Sequence, residues 1–184
     1  VKLLKNLNWK FNATLSENKI ASFHEFIDDW DNGGKVDSIY SNTNIAFSPS
    51  VIASSQLVYN PISSEKYGDL ELAFITKYVG EQFIDNTSSE YNKLDAYVVN
   101  DLRMSYTIKS KLFKEVVLST WIRNLFNQNY ISNAWIYRYK SDDYNPVPDD
   151  IYSNPEGEGT GRYNQIGAFN QAGINFFMGL KLRF

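Results

Sequence analysis

At the end of the chain every second residue is apolar: Ile174, Phe176, Met178, Leu180, Leu182 and Phe184. Gly173, Asn175, Phe177, Gly179, Lys181 and Arg183 lie between them, so a strand here has one face for an apolar medium and one for a wet one. Wound as a helix, the same residues would spread apolar groups around the whole cylinder and include two glycines, which weaken helices. Residues 7–15 alternate as regularly, with Leu7, Trp9, Phe11, Ala13 and Leu15 against Asn8, Lys10, Asn12 and Thr14. In residues 98–108, Val98, Leu102, Met104, Tyr106 and Ile108 oppose Asp101, Arg103, Ser105 and Thr107, and Asn100 alone interrupts the apolar series. Residues 47–59 alternate more loosely: Ile52 and Val58 fall on the polar side, and Pro49 belongs near a strand end because it has no N–H to donate. Residues 69–83 and 115–125 are less regular but rich in β-forming side chains.

The pattern predicts an all-β chain of about six antiparallel strands, longer than the ~5 to 6 residues of globular sheets and near or beyond the ~9 to 11 that cross a bilayer. Their connections alternate in length. Residues 60–68 and 109–114 are short, whereas roughly 28–43, 84–94 and 139–165 are long and rich in Asp, Asn, Gly, Ser and Tyr. Short turns at one end and long loops at the other match an outer-membrane barrel and put the C-terminus on the short-turn, periplasmic side. Phe23, Phe26, Ile27 and Trp30 also fit a helical stripe, but an extended strand running past the membrane into its loop is the preferred reading.

Composition changes this picture little. A mean hydropathy of -0.40 is compatible with a membrane barrel, whose two faces average out in any window. The 13 Tyr, 12 Phe and 4 Trp suit interfacial girdles, and the absence of Cys fits an exported chain without disulfides. With 18 basic and 21 acidic residues interspersed, a net charge of -3 leaves no electrostatic footprint for nucleic acid. The 184 residues are treated as one unit, and a start at Val1 without Met or leader points to a processed protein or a piece of a longer one.

Three stretches carry a family resemblance. Residues 93–106, Lys-Leu-Asp-Ala-Tyr-Val-Val-Asn-Asp-Leu-Arg-Met-Ser-Tyr, look like the third-from-last strand of TonB-dependent receptors. Asn124-Leu125-Phe126-Asn127-Gln128-Asn129-Tyr130 is similar to that family's Asn-Leu-Phe-Asp-x-x-Tyr signature, with Asn127 where Asp is common. Asn170-Gln171-Ala172-Gly173-Ile174-Asn175-Phe176 resembles its Pro-Gln-Ala-Gly-Arg-x-Phe lead into the closing strand, with Asn170 and Ile174 departing from Pro and Arg. The resemblance implies that residues 1–184 are the C-terminal part of a plugged barrel of about 22 strands. It also implies an outer-membrane receptor that takes up a scarce nutrient, such as a siderophore or other large ligand, with energy from a TonB complex. The implied partners are the plug and remaining strands of the same receptor, TonB through that plug, outer-membrane lipids, and the barrel-assembly machinery. Met178, Leu180, Leu182 and Phe184 are then the expected assembly signal. No plug is present in these residues, so the chain alone is expected not to transport.

Catalytic chemistry has little support. There is no Cys, one His (His24), no phosphate loop and no nucleophile elbow, and no cofactor is expected. His24, between Phe23 and Phe26, reads as a rim residue sooner than a metal ligand. Asp28, Asp29, Asp31, Asn32, Gly33 and Gly34 suggest a calcium loop, but EF-hand spacing puts Tyr40 where a bidentate Glu belongs, so a solvated loop is favoured. The best ligand-contact candidate is the expected loop from Trp135 to Tyr152, where Trp135, Tyr137, Arg138, Tyr139, Tyr144 and Tyr152 accompany Asp142 and Asp143. An aromatic girdle continuing into a mobile loop competes with it. Two other functions stay open: a small complete outer-membrane barrel with a structural or adhesive role, and a soluble β-sandwich, which would bury its apolar face.

Overall fold

The computed structural model describes residues 1–184 except positions 111 and 158. One position of the expected 109–114 turn and one of the expected 139–165 loop therefore lie outside the described residues. The described chain is all-β and mostly antiparallel. In order, its strands are β1 (Lys2–Leu4), β2 (Leu7–Leu15), β3 (Lys19–Asp29), β4 (Lys35–Asn44), β5 (Val51–Ser64), β6 (Gly68–Val79), β7 (Gln82–Phe83), β8 (Lys93–Leu94), β9 (Tyr97–Ile108), β10 (Glu115–Arg123), β11 (Ile131–Lys140), β12 (Ser153–Pro155), β13 (Arg162–Asn170) and β14 (Asn175–Arg183). No described helix is long and apolar enough to cross a membrane, which says nothing of crossing by strands.

A long sheet runs β1-β2-β5-β6-β9-β10-β14, a meander whose last six members are the six strands expected from alternation. Its register aligns the alternation from strand to strand. One row crosses all six long strands as Trp9, Leu57, Phe74, Leu102, Ile122 and Phe176. The next row toward the short turns is Leu7, Tyr59, Leu72, Met104, Thr120 and Met178. On the other face the corresponding row is Asn8, Val58, Ala73, Arg103, Trp121 and Phe177. Cross-strand pairing of apolar side chains stabilises the first face, the second is more mixed, and a one-residue slip in any pair would exchange the two. Asn100, the interruption in its series, accepts the Thr76 hydroxyl hydrogen at 2.7 Å, so this face carries a satisfied polar pair. On the polar face Arg103 pairs with Glu71 at 3.1 Å.

The sheet is a single open layer. β1 and β14 are its edges, and β2 does not pair with β14. Among the described residues nothing covers the apolar face: Phe11 is 59%, Phe176 70%, Met178 67% and Leu180 65% exposed. The described short turns, 5–6 and 65–67, lie at the end of the sheet that also holds Phe184, whose ring packs edge-on against Phe113 at 5.1 Å.

Several boundaries differ from expectation. The strand expected at 47–59 is Val51–Ser64, with Pro49 ahead of it, and the expected 60–68 connection shrinks to 65–67. Pro61 is accommodated because the β5–β6 register slips between Tyr59 and Ile62, beyond the last β2 partner at Tyr59. Residues 69–83 form a strand only to Val79. The expected 28–43 loop is largely strand, since β3 and β4 make a hairpin with only 30–34 as its turn. Phe23 to Asp29 are thus extended and not helical, with Trp30 beginning the turn. The expected 139–165 loop begins inside β11, contains β12 and ends inside β13.

The β3–β4 and β11–β13 hairpins continue the chain beyond the ends of β2–β5 and β10–β14 and meet each other. They form a second sheet, β12-β13-β11-β3-β4, joined where Tyr139 and Lys140 pair in parallel with Asp28 and Asp29. Beneath this cap the 80–96 connection carries the two-stranded β7–β8 sheet and a 3-10 turn, Glu90–Asn92. Ile84 and Leu94 from it pack with Ala134, Ile131, Ile136 and Ile166 as a small apolar cluster. It also pins the bend of the first hairpin: the Phe47 N–H donates to Phe83 O at 2.9 Å, the Ala46 N–H to Asn86 Oδ1 at 2.7 Å, and the Asn44 N–H to Ser88 Oγ at 2.7 Å.

Gly68 begins β6 at φ +83, and a Cβ there would stand 2.2 Å from the Thr107 carbonyl oxygen. Gly68→Ala is expected to cost at least about 1 to 3 kcal/mol, since the backbone itself has to move. Urea unfolding of the purified protein checks this, and an unchanged midpoint would show that the turn relaxes freely.

Candidate functional site

Where the long sheet passes into the cap, the three stretches carrying the family resemblance converge. Asn124 and Asn127 both have φ 51, a left-handed conformation that Asn tolerates better than most residues. The buried Asn124 amide donates to the carbonyls of Gln128 and Ala172 at 2.9 and 3.1 Å, and its oxygen accepts the Gln128 N–H at 2.8 Å. Its own N–H donates to Asp101 Oδ1 at 2.9 Å, while Asp101 Oδ2 accepts the Trp121 indole N–H at 3.1 Å. Asn127 Oδ1 accepts the Ile174 N–H at 2.9 Å and leaves no room for a Cβ on Gly173, which would stand 2.4 Å away. An Asp at 127 would accept the same bond, so this departure from the family signature keeps its geometry. The Gln171 N–H donates to Tyr130 O at 3.0 Å, and the Tyr130 ring stacks on Tyr97 at 4.4 Å. A recess of about 360 Å³ beside this junction is lined by Lys93, Tyr97, Gln128 and Tyr130 among others.

Above the junction the cap is organised by one buried guanidinium. Arg138 on β11 forms ion pairs with Glu25 from β3 and, at 2.7 Å, with Asp85 from the 80–96 connection. Its Nε–H donates to Asn164 Oδ1 at 2.8 Å. Glu156 Oε2 stands 3.0 Å from Nε but takes no hydrogen bond from it, so that contact is charge proximity alone. Burial on its own lowers an arginine's pKa, but here Asp85, Glu156 and Glu25 outweigh it and hold the guanidinium above its ordinary value. The surplus negative charge is spread over further donors. Asp85 accepts from Thr87 N–H and hydroxyl at 2.9 and 2.6 Å and from the Asn92 amide at 3.0 Å. Glu25 accepts the Tyr40 hydroxyl hydrogen at 3.0 Å, and that oxygen in turn accepts from Arg162 at 2.9 Å.

A second clasp holds the tips of the two hairpins. Trp30 stacks on Tyr139 at 3.7 Å with 11° between the rings, and its backbone N–H donates to Lys140 O at 2.9 Å. The Asp31 carboxylate accepts the Ser141 hydroxyl at 2.9 Å and the backbone N–H groups of Asp142 and Asp143. The Asp142 N–H is the largest influence on Asp31; with Ser141 and Asp143 it outweighs desolvation and keeps the carboxyl below the usual aspartate range.

The ligand-contact candidates are redistributed. Trp135, Tyr137, Arg138 and Tyr139 stand in strand β11 and not in a loop, which corrects the expected 135–152 segment. Arg138 and Tyr139 are buried and offer the solvent no surface, because their partners come from β3, the 80–96 connection and β12. Trp135 is half exposed and lies over Gly167, whose added Cβ would come within 2.0 Å of its ring nitrogen. Tyr144 is 48% exposed in the 141–152 segment, with its hydroxyl on Asp149 at 2.5 Å. A cleft of about 460 Å³ nearby is lined by Tyr91, Val147, Arg162 and Tyr163 among others. His24 is exposed and pairs with Asp37 at 2.7 Å across the first hairpin. Asp29 closes the hairpin turn by accepting the N–H groups of Asp31 and Asn32 at 3.1 Å, and no group of three or more metal-binding side chains exists among the described residues. Glu25, Asp85, Asn92, Glu156 and Asn164 were not singled out by sequence reasoning. The one available signal is Glu25 sitting between Phe23 and Ile27 on the buried side of its strand.

Arg138→Met is expected to cost about 3 to 5 kcal/mol of cap stability, because it leaves three carboxylates facing one another without their cation. Hydrogen exchange of 19–44 and 80–96 should then rise while exchange in the long sheet stays put; uniform protection would contradict the role given to Arg138. The Asp31 clasp carries a pH dependence of fixed sign. Since its folded pKa is depressed, its contribution is complete above the unfolded aspartate's pKa and is lost as pH falls through the folded one. A variant keeping Trp30 as its only tryptophan should show that loss by fluorescence, and Asp31→Asn should remove the transition.

No protein-family model matches the chain, and no curated protein matches it. Among solved structures, the chain is similar to part of the ferric yersiniabactin uptake receptor FyuA from Yersinia pestis, with a TM-score of 0.46 and 16% sequence identity. The match covers 95% of this chain and 21% of that one, so the chain spans about a fifth of that receptor's length.

Proposed function

We propose that the chain is the C-terminal wall of an outer-membrane TonB-dependent receptor, serving active uptake of a scarce nutrient such as a siderophore or other large ligand. The observation that carries this reading is the uncovered apolar face aligned in register across six strands. A soluble β-sandwich would stack a second layer on that face, whereas here it stays exposed and the second sheet continues two hairpins beyond it. Lipid is the medium that accepts such a face, and Arg103 then belongs to the interior, because an Arg at the bilayer midplane of a barrel costs about 2 to 4 kcal/mol.

The open edges favour a wall of a larger barrel over a small complete one. Unpaired N–H and C=O groups cost several kcal/mol each in hydrocarbon, so β1 and β14 call for further strands of the same receptor, about 22 in all if the family resemblance holds. The plug, the TonB complex acting through it, outer-membrane lipid and the assembly machinery complete the partners of this reading. In it Met178, Leu180 and Leu182, exposed on the edge strand, and the exposed Phe184 just beyond it are the assembly signal, and Trp135 and Tyr144 are the accessible members of the ligand-contact set.

In cells expressing the full-length protein, cysteines at Leu102 and Met104 should react with a lipid-phase probe, and those at Arg103 and Ser105 with an aqueous one. Uptake of one member of a panel of ferric chelates, cobalamin, glycans and peptides should depend on both this protein and TonB. The reverse labelling would overturn the membrane assignment; correct labelling with no TonB-dependent uptake would leave the structural or adhesive barrel as the reading.

A further inference from the structure

We propose that Asn32-Gly33 is a site of spontaneous deamidation whose product releases the clasp between the two cap hairpins. Asn32, Gly33 and Gly34 are exposed at the tip of the β3–β4 hairpin, and no other asparagine in the chain precedes a glycine. Gly33 has no side chain to shield its nitrogen, and a Cβ placed there would meet nothing within 4 Å. Among the described residues no hydrogen bond engages its N–H. The Asn32 amide is held only loosely, by Asp29 at 3.2 and 3.5 Å. By contrast Asn92, Asn124 and Asn164 are buried, with their amides committed to partners.

The reaction needs only water. The Gly33 backbone nitrogen bonds to Asn32 Cγ and loses its proton to solvent, and the bond from Cγ to the side-chain nitrogen breaks as that nitrogen takes up a proton from water, releasing ammonia and leaving a succinimide. Water then opens the ring at either carbonyl, giving an aspartate or an isoaspartate, with no change in oxidation state. Either product replaces a donor to Asp29 by a second carboxylate. The isoaspartate also lengthens the main chain just after Asp31 and shifts the Asn32 N–H that Asp29 accepts. Asp29 and Asp31 fix the turn on which the Trp30 stack and the Asp31 bonds to 141–143 depend, so the modified tip loses its hold on the second hairpin.

The full-length protein, purified in detergent and kept at mildly alkaline pH, tests this by tryptic peptide mass and by methyl acceptance from isoaspartyl methyltransferase. Conversion should concentrate in peptide 20–35, run severalfold faster there than at any other asparagine, and vanish in Asn32→Gln. Acrylamide quenching of Trp30, in a variant with no other tryptophan, should rise in step. An Asn32 that stays an amide while the same peptide converts when unfolded would overturn the site. Conversion without any change in Trp30 accessibility would overturn the release of the clasp.

Discussion

Strand register is the constraint on which the long sheet depends and from which the cap departs. Side chains alternate between faces with a period of two, so a wall with one apolar and one polar face exists only if every strand pair keeps its alternation in phase. The row from Trp9 to Phe176 shows that phase held across six strands, and Val58 and Ala73 share the opposite face with Arg103 for the same reason. The exceptions are local. Pro61 is absorbed by a slip beyond the last β2 partner, so it disturbs the β5–β6 pair without passing the shift to β2.

Phase is surrendered where the long sheet ends, because beyond it the hairpins turn one face toward the groups gathered around Arg138. The chain does this at two places. Between β10 and β11 the left-handed Asn124 and Asn127 turn the backbone, and their amides bond the carbonyl and N–H groups that the interrupted ladder leaves free. Between β2–β5 and β3–β4 the bend is pinned from outside by Phe83, Asn86 and Ser88. The motif resemblance is therefore a statement about how a strand pair leaves a wall, with Asn chosen for its backbone tolerance and its paired donor and acceptor.

This explains what was legible in the sequence. The six strands of the long sheet were visible because their side chains alternate between a mostly apolar and a more polar face. Most strands of the cap were hidden, since their inner face mixes charged with apolar groups and their outer face carries polar ones, which leaves little contrast: β4 reads as Lys-Val-Asp-Ser-Ile-Tyr-Ser-Asn-Thr-Asn. Arg138 looked like a ligand contact because the aromatics around it suit a recognition surface. Its burial follows from Glu25, Asp85 and Glu156, which lie far from it in sequence and near it only after both hairpins fold over the 80–96 connection. Pairing of that kind leaves no periodic trace.

The cap's dependence on charge also follows from where it sits. Its apolar cluster is small, centred on Ile84, Leu94 and Ala134, and cannot hold two hairpins that meet through only two parallel residue pairs. A guanidinium with five donors can bond several separate segments at once, and the Asp31 carboxylate fastens a loop by its backbone regardless of side chains. Such contacts are directional, so they fix which strand meets which: β3, and not β4, lies against β11. Hydrophobic packing is non-directional and would not by itself make that choice. The wall is thus specified by alternation and the cap by a few long-range charged contacts, and the asparagine junction is where one rule gives way to the other.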